Sequence, residues 1–375
     1  MKGIETTPDD SGIVQSIRHT PYACSSATEL SGGLANSTYR GRLSQTLEDG
    51  TESVIIKHGE ERCAKLPKVE LSTTRCRTEQ ALLKAVQNTP VAQVNYNGVA
   101  VQCPQVFHYV PQDNTQIVQD YPHESTLHQW LTTRNHSQHG NEISKSVSAL
   151  GEAVAIWLVR FHSWSRDGIE GDVELADIVK RNTESLGKDL AVAKMRKFEQ
   201  QCENDKVLGY AREILFPDPN ESDIMIHGDF STRNILLRDS SSENTNTQSP
   251  DYYLAIIDWE ISCYASFTRD IANILSDLYM QIHFTEPEEA KATSRSQFFL
   301  NGFISAYPRL GEEEVYRTVA QVGENFFYAH AYAPPRHTQE QVEELVRFGE
   351  RLIVMGCEGD RASVEGTFLG CLVDA

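Results

Sequence analysis

Side chains that can move a proton or hold a metal ion occur in a fixed order between Ile226 and Asp258. His227-Gly228-Asp229 comes first, Asn234 follows five residues after that aspartate, and Asp258 closes a second aliphatic run. Phosphoryl transfer needs a carboxylate that accepts the proton of an acceptor hydroxyl, and oxygen ligands that hold Mg²⁺ on nucleotide phosphates. The order therefore predicts phosphoryl transfer, with Asp229 as the base and Asn234 as its catalytic partner. For Asp229, the alternative is a structural aspartate that caps the following turn.

The metal ligands are expected close to that base. Asn234 and Asp258 supply oxygen atoms that suit Mg²⁺. Glu260 lies two residues further on, on the same side if the backbone stays extended. It is either a further metal ligand or a solvated charge, and the sequence leaves both open. His227 and Asp270 are expected to brace the loop.

The N-terminal region carries residues that suit nucleotide phosphates. Lys57 is the one lysine of a β-branched stretch, SVIIKH, and Glu79 lies on the next predicted helix, where it can pair with this lysine. Gly32 and Gly33 form a turn at which the backbone can approach a ligand and present its N–H groups to phosphate. These four residues are predicted to bind the nucleotide.

The fold class follows from the change in pattern along the chain. Strands are predicted at 53–58, 99–101 and 106–110, and helices at 72–87, 124–133, 143–164, 269–284, 291–306, 313–332 and 338–356. This is a β-rich region followed by an α-rich one, and it predicts an α+β, bilobal, protein-kinase-like fold. The predicted divisions are an N-terminal segment, 1–21, a nucleotide-binding lobe, 22–120, and a catalytic lobe, 121–375. Gln119 and Tyr121 would lie where the lobes meet, where the backbone can pair with adenine.

Composition excludes several classes of partner. The net charge of −19 argues against nucleic acid and anionic membranes. No run approaches the ~18 apolar residues of a membrane span. The eight cysteines include no C-x-x-C pair, which indicates free thiols in a reducing cytosol.

At these residues the chain resembles the aminoglycoside phosphotransferase/choline kinase superfamily. The stretches that carry the resemblance are LSGGLANSTYRG, SVIIKH, IVQDYP, TRNILL and IDWEISCYASFTRDIAN. Two branches are nearest: the methylthioribose kinase-like small-molecule kinases, which include fungal 4-hydroxytryptamine kinase, and the choline and ethanolamine kinases, which IDWEISCYASFTRDIAN resembles. The resemblance implies ATP and Mg²⁺ as cofactors, Asp229 as base, Asn234 and Asp258 on Mg²⁺, and Lys57 on the nucleotide phosphates.

The predicted function is therefore the transfer of the γ-phosphoryl group of ATP to a hydroxyl of a small metabolite, with amine-bearing compounds favoured. Two other functions stay open. One is a nucleotide-binding regulatory module without transfer, and the other is a protein kinase. Neither the acceptor nor the oligomeric state follows from the sequence.

Overall fold

The structure is a computed structural model. It describes residues 12–30, 33, 35–65, 69–122, 124–133, 140–167, 172–218, 223–240, 249–285, 293–329, 334 and 337–374. Of the predicted N-terminal segment, residues 1–11 lie outside this part of the chain.

A five-stranded antiparallel sheet forms most of the N-terminal region. Its strands, in spatial order, are β1 (Cys24–Glu29), β2 (Ser37–Leu43), β3 (Ser53–His58), β7 (Thr115–Gln119) and β6 (Val106–Val110). In β3, Val54 and Ile56 are fully buried and alternate with more exposed residues, as one apolar face requires. The side chain of Lys57 consequently lies on the other face.

Two helices accompany this sheet. The short helix α1 (Gly12–Ser16) leads to Ile17, which is fully buried against β3 and Ile117, so the described end of the N-terminal segment is docked. The helix α2 (Thr74–Val86) follows β3 and carries Glu79. It confirms the helix predicted at 72–87 to within two residues.

A second, mixed sheet lies where the two regions meet. Its spatial order is β4 (Gln93–Tyr96), β5 (Val99–Gln102), β11 (Tyr252–Ile256), β10 (Ile235–Asp239) and β8 (Ser125–Thr126). Strands β5 and β11 pair in parallel, and the hairpin β10–β11 is antiparallel. Strand β4 was not among the predicted strands. The pairing of β5 with β11 crosses the division predicted near residue 120, and that division stays a prediction.

The rest of the described chain is mainly helical. The longer helices are α3 (Leu127–Thr132), α4 (Gly140–Asp167), α5 (Val173–Asn182), α6 (Lys188–Gln201), α7 (Asp205–Leu215), α8 (Thr268–His283), α9 (Arg295–Ala306), α10 (Glu312–Phe326) and α11 (Gln339–Glu358). Short helices α12 (Arg361–Glu365) and α13 (Cys371–Asp374) follow, and a two-stranded ladder joins β9 (Ile224–Ile226) to β12 (Cys263–Ala265). An antiparallel sheet followed by helices confirms the predicted α+β, kinase-like class.

All eight cysteines lie within the described part of the chain. None of the eight cysteines forms a disulfide. A search of the described residues finds no helix with the length and apolarity that a membrane crossing requires.

Helices α4 and α9 approach each other closely through glycine. A Cβ atom at Gly302 would lie 2.1 Å from the carbonyl oxygen of Ser148, and one at Gly151 would lie 2.2 Å from that of Phe299. Backbone cannot withdraw as a flexible side chain can, so the helices would have to move apart. Gly209, on α7, has open space at the same position.

We expect Gly302→Ala to lower the free energy of unfolding by about 1–3 kcal/mol, the usual cost of overpacking. The matched variant Gly209→Ala should instead raise it by about 0.5–1 kcal/mol, because alanine favours the helix. Urea unfolding of both variants measures the difference. Equal effects in the two would contradict the close packing of α4 on α9.

A buried ion cluster joins three of the helices. Glu324 of α10 is fully buried, and it accepts from the Lys194 ammonium of α6 at 2.7 Å and from the Arg269 guanidinium of α8 at 2.9 Å. Burial would raise the pKa of Glu324, but the two cations outweigh it and hold the pKa below its ordinary value. A carboxylate whose pKa falls on folding stabilises the protein above its unfolded-state pKa.

Glu324→Gln should therefore lower the free energy of unfolding near pH 7 by about 3 kcal/mol, since a buried pair loses one partner. The difference from wild type should shrink as the pH falls from the ordinary Glu value of 4.5 through the lower pKa of the folded state, because Glu324 is protonated first in the unfolded chain and then in the folded protein. Urea unfolding across pH 3–7 tests this. A difference that does not change with pH would show that the Glu324 charge is not what the cluster contributes.

Candidate active site

The His227-Gly228-Asp229 turn is held by the carboxylate of Asp270. The backbone N–H groups of His227 and Gly228 each donate to the Asp270 carboxylate at 2.9 Å, and His162 Nε2 lies 3.1 Å from the same carboxylate. Gly228 has φ of +84°, and a Cβ atom there would lie 2.5 Å from the carbonyl oxygen of Ile261. Only glycine fits this turn without strain. Asp270 is thus the loop brace that the sequence indicated.

Asn234 fixes the position of Asp229. The Asn234 side-chain nitrogen donates to Asp229 Oδ2 at 2.8 Å and to its carbonyl oxygen at 2.9 Å. A 3₁₀ turn, Thr232–Asn234, brings the two together. Burial, and next the charge of Asp258, raise the pKa of the Asp229 carboxyl above its ordinary value.

The imidazole of His227 connects this loop to the metal-site segment. Its Nδ1 accepts from the backbone N–H of Asp229 at 3.3 Å, so Nε2 carries the proton and donates to the carbonyl oxygen of Ile257 at 3.1 Å. The N–H of Ile257 in turn donates to the carbonyl oxygen of Asn234 at 2.9 Å. Hydrogen bonds to both the N–H and the C=O of Ile257 thus hold the two segments in register.

Lys57 bridges the sheet, helix α2 and Asp258. Its Nζ atom lies 2.7 Å from Glu79 Oε1 and 2.7 Å from Asp258 Oδ1. Burial alone would lower the pKa of Lys57, but the two carboxylates outweigh it and raise the pKa above the ordinary value. For Asp258, the Lys57 charge outweighs burial, and its pKa is lowered.

Glu79 has further partners that the sequence did not reveal. Its carboxylate also accepts from the Gln116 side-chain amide of β7 and from the Trp259 backbone N–H at 3.2 Å. Gln116 is 1% exposed. A glutamine within an apolar strand, TQIVQ, was the available signal, because a buried amide needs a polar partner.

Glu260 is not a solvated charge, because its side chain is only 6% exposed. Asp258 adopts a left-handed conformation (φ +67°) and Trp259–Ile261 form a 3₁₀ turn, so the backbone after Asp258 is not extended. The carboxylate accepts from Asn36 Nδ2 at 2.6 Å and lies 3.2 Å from Arg75 Nε. Burial, and next the Asp258 charge, raise the pKa of Glu260 above its ordinary value. Its role as a metal ligand stays a prediction.

Of the four other residues predicted to bind the nucleotide, the structure describes Gly33, Gln119 and Tyr121. Gly32 is outside the described residues. Gly33 has its Cβ position 3.2 Å from the carbonyl oxygen of Asn36, a close fit. Gln119 ends β7, where its side-chain oxygen accepts from the Tyr121 hydroxyl at 3.2 Å. The roles of these residues in nucleotide binding remain predictions.

The donor set suits a cation that is held jointly with phosphate. Within the described part of the chain, no group of three or more His, Cys, Asp and Glu side chains could hold a metal by itself. Mg²⁺ is usually bound by one or two carboxylates, with substrate phosphates and water completing its shell. Asp258, whose side chain is 34% exposed, and the side-chain oxygen of Asn234 fit that arrangement.

Comparison with known proteins adds the family. Residues 26–312 match the sequence pattern of the phosphotransferase enzyme family. The phosphotransferase FrzJ of Cladobotryum sp. is 27% identical over 98% of this chain and 96% of its own length, and 4-hydroxytryptamine kinase of Psilocybe cyanescens is 23% identical over 73% and 72%. A choline/ethanolamine kinase family protein from Mesorhizobium loti covers 92% of this chain and 97% of its own, with a TM-score of 0.47 and 12% identity.

The family match spans well over half of the sequence and includes the residues from Lys57 to Asp258 described above. The chain therefore belongs to the phosphotransferase enzyme family and is a small-molecule phosphotransferase.

Proposed function

We propose that the protein transfers the γ-phosphoryl group of ATP, bound with Mg²⁺, to a hydroxyl group of a small, amine-bearing metabolite, with Asp229 as the base. The family supports the reaction class. The amine is supported by the net charge of −19, which favours cationic molecules, and by the relative named 4-hydroxytryptamine kinase. Free cysteines favour a reducing compartment, so we place the reaction in the cytosol.

The observation that carries this proposal is the double hydrogen bond at Ile257. His227 donates to the carbonyl oxygen of Ile257, and the N–H of Ile257 donates to Asn234. These two hydrogen bonds fix the position of Asp229 relative to Asp258. Phosphoryl transfer depends on such positioning more than on strong basicity, since its transition state is loose. A phosphate that reaches Asp258 would present its γ group to the loop that carries Asp229.

Each side chain has a distinct task in this mechanism. The Asp229 carboxylate orients the acceptor hydroxyl and accepts its proton, and the raised pKa makes it a better base. Asn234 keeps that carboxylate in place through its side-chain nitrogen, which leaves its side-chain oxygen available to the cation. Mg²⁺, when bound, would neutralise charge on the nucleotide phosphates. The Lys57 ammonium, held by Glu79, would pair with those phosphates.

Asp229→Asn should reduce turnover at least about a hundredfold, the effect of losing a positioned base, with little change in nucleotide affinity. ADP release from ATP and Mg²⁺ is measured against amino alcohols, hydroxylated indolethylamines, methylthioribose, choline and aminoglycosides. Asp205→Asn, at the exposed start of α7, is the matched control and should keep wild-type turnover. Near wild-type turnover in Asp229→Asn would refute the role of base.

Lys57→Met should raise the KM for ATP at least about tenfold, because one charge-assisted contact to phosphate is lost. The KM for the acceptor should not change. Lys84→Met removes an exposed lysine of α2 and serves as control. Steady-state kinetics on the responsive acceptor gives both constants, and an increase confined to the acceptor KM would contradict the assignment of Lys57.

A further inference from the structure

Asn36 lies three residues after Gly33 and uses both ends of its amide in buried contacts. Its nitrogen donates to Glu260 Oε2 at 2.6 Å, and its oxygen accepts from Arg75 NH2 at 3.1 Å. Asn36 is 5% exposed, and the Arg75 side chain is fully buried. A buried amide with charged partners on both sides has one orientation, since a flip would set like groups against each other.

Arg75 spreads its remaining donors over the surrounding backbone. Its guanidinium donates to the carbonyl oxygens of Ala35, at 3.4 Å, and Glu60, at 2.9 Å, and to those of Leu71, at 3.3 Å, and Ser72, at 3.0 Å. The Arg75 side chain thus connects Ala35 to both ends of the segment that joins β3 to α2. The planar, multiply donating guanidinium suits this task, and lysine would not replace it.

The backbone of Glu260 is fixed separately. The Asn182 side chain donates to the carbonyl oxygens of Glu260 and Ser262 at 2.9 and 3.0 Å, and accepts from the Thr74 hydroxyl at 2.9 Å. These hydrogen bonds hold Glu260 in place independently of the chain at Asn36. Its carboxylate is a fixed point two residues from Asp258.

We propose that Asn36, Arg75 and Glu260 form an anchor that ties the chain at Ala35, which follows the glycines predicted to bind phosphate, to the Asp258 segment and so sets the affinity for nucleotide phosphates. These are positioning residues, because they act on the turn and not on the phosphates. The inference rests on the proposed function, since it takes the phosphates to bind between the turn and Asp258. It also gives Glu260 a task other than the metal ligation expected from the sequence.

The geometry favours the anchor over metal ligation. Glu260 Oε2 is already shared by the Asn36 amide and the Arg75 guanidinium, and the side chain is almost completely buried. A carboxylate that left these partners for a cation would leave Arg75 buried and uncompensated, which is costly. The cost is smaller at Asp258, whose side chain is 34% exposed and whose partner Lys57 keeps its contact with Glu79.

The test is binding, measured calorimetrically, of a non-hydrolysable ATP analogue with Mg²⁺, and of adenosine. Asn36→Ala should weaken the analogue about tenfold and leave adenosine unchanged, because one charge-assisted hydrogen bond behind the phosphate turn is lost. Asn95→Ala, an exposed asparagine of β4, is the matched control and should bind both as wild type does.

Glu260→Gln, alone and combined with Asn36→Ala, separates the two roles of Glu260. An anchor predicts about tenfold for each variant and about tenfold, not a hundredfold, for the pair, because they share one interaction. Additive losses, or a Glu260→Gln effect that disappears when Mg²⁺ is omitted, would overturn the proposal in favour of metal ligation. Equal loss of adenosine binding in Asn36→Ala would also overturn it, as general damage. Failure of the wild-type protein to bind the analogue would instead count against the proposed function.

Discussion

The carboxyl groups of Glu79, Asp229, Asp258 and Glu260 lie close enough to repel one another, and the rest of the site has to compensate that repulsion. Buried carboxylates of like charge cannot all ionise without compensation. The compensation comes from the N-terminal region: Lys57 of β3 lies between Glu79 and Asp258.

The second cation, Arg75 of α2, reaches Glu260. The two cations compensate their carboxylates unequally. The pKa of Asp258, beside Lys57, is lowered, whereas the pKa of Glu260, beside Arg75, is raised. The charge balance therefore depends on the position of α2 and β3 relative to the catalytic segments. The site is therefore complete only when β3 and α2 lie against the catalytic segments.

Backbone hydrogen bonds supply the precision that charge pairing lacks. Coulomb attraction falls slowly with distance and tolerates many geometries, whereas the contacts of His227 and Asn234 with the peptide at Ile257 allow few. Asp270 adds a fixed point beneath the turn by accepting two successive N–H groups. The loop itself thus sets the orientation of Asp229, whereas burial, and next the charge of Asp258, raise its pKa.

The sequence by itself determined the chemistry and its order along the chain. Local geometry is enough to bring Asp229, Asn234 and Asp258 together. A 3₁₀ turn and a hairpin connect them within about thirty residues. The same holds for Lys57 on β3 and Glu79 on α2, whose periodicities could be read directly. The kinase-like class followed from a strand-rich region preceding a helix-rich one.

Only the tertiary structure decided the contacts between distant segments. Asn36 and Glu260 are 224 positions apart, and Gln116 meets Glu79 across 37. No local pattern marks such pairs, since a polar residue in a turn or strand reads equally well as surface. The role open to Glu260 changed for the same reason: Asp258 takes a left-handed conformation, the backbone turns, and the carboxylate is buried against Arg75. Burial and the position of opposite charge, both properties of the assembled chain, determine what an ionisable side chain can do.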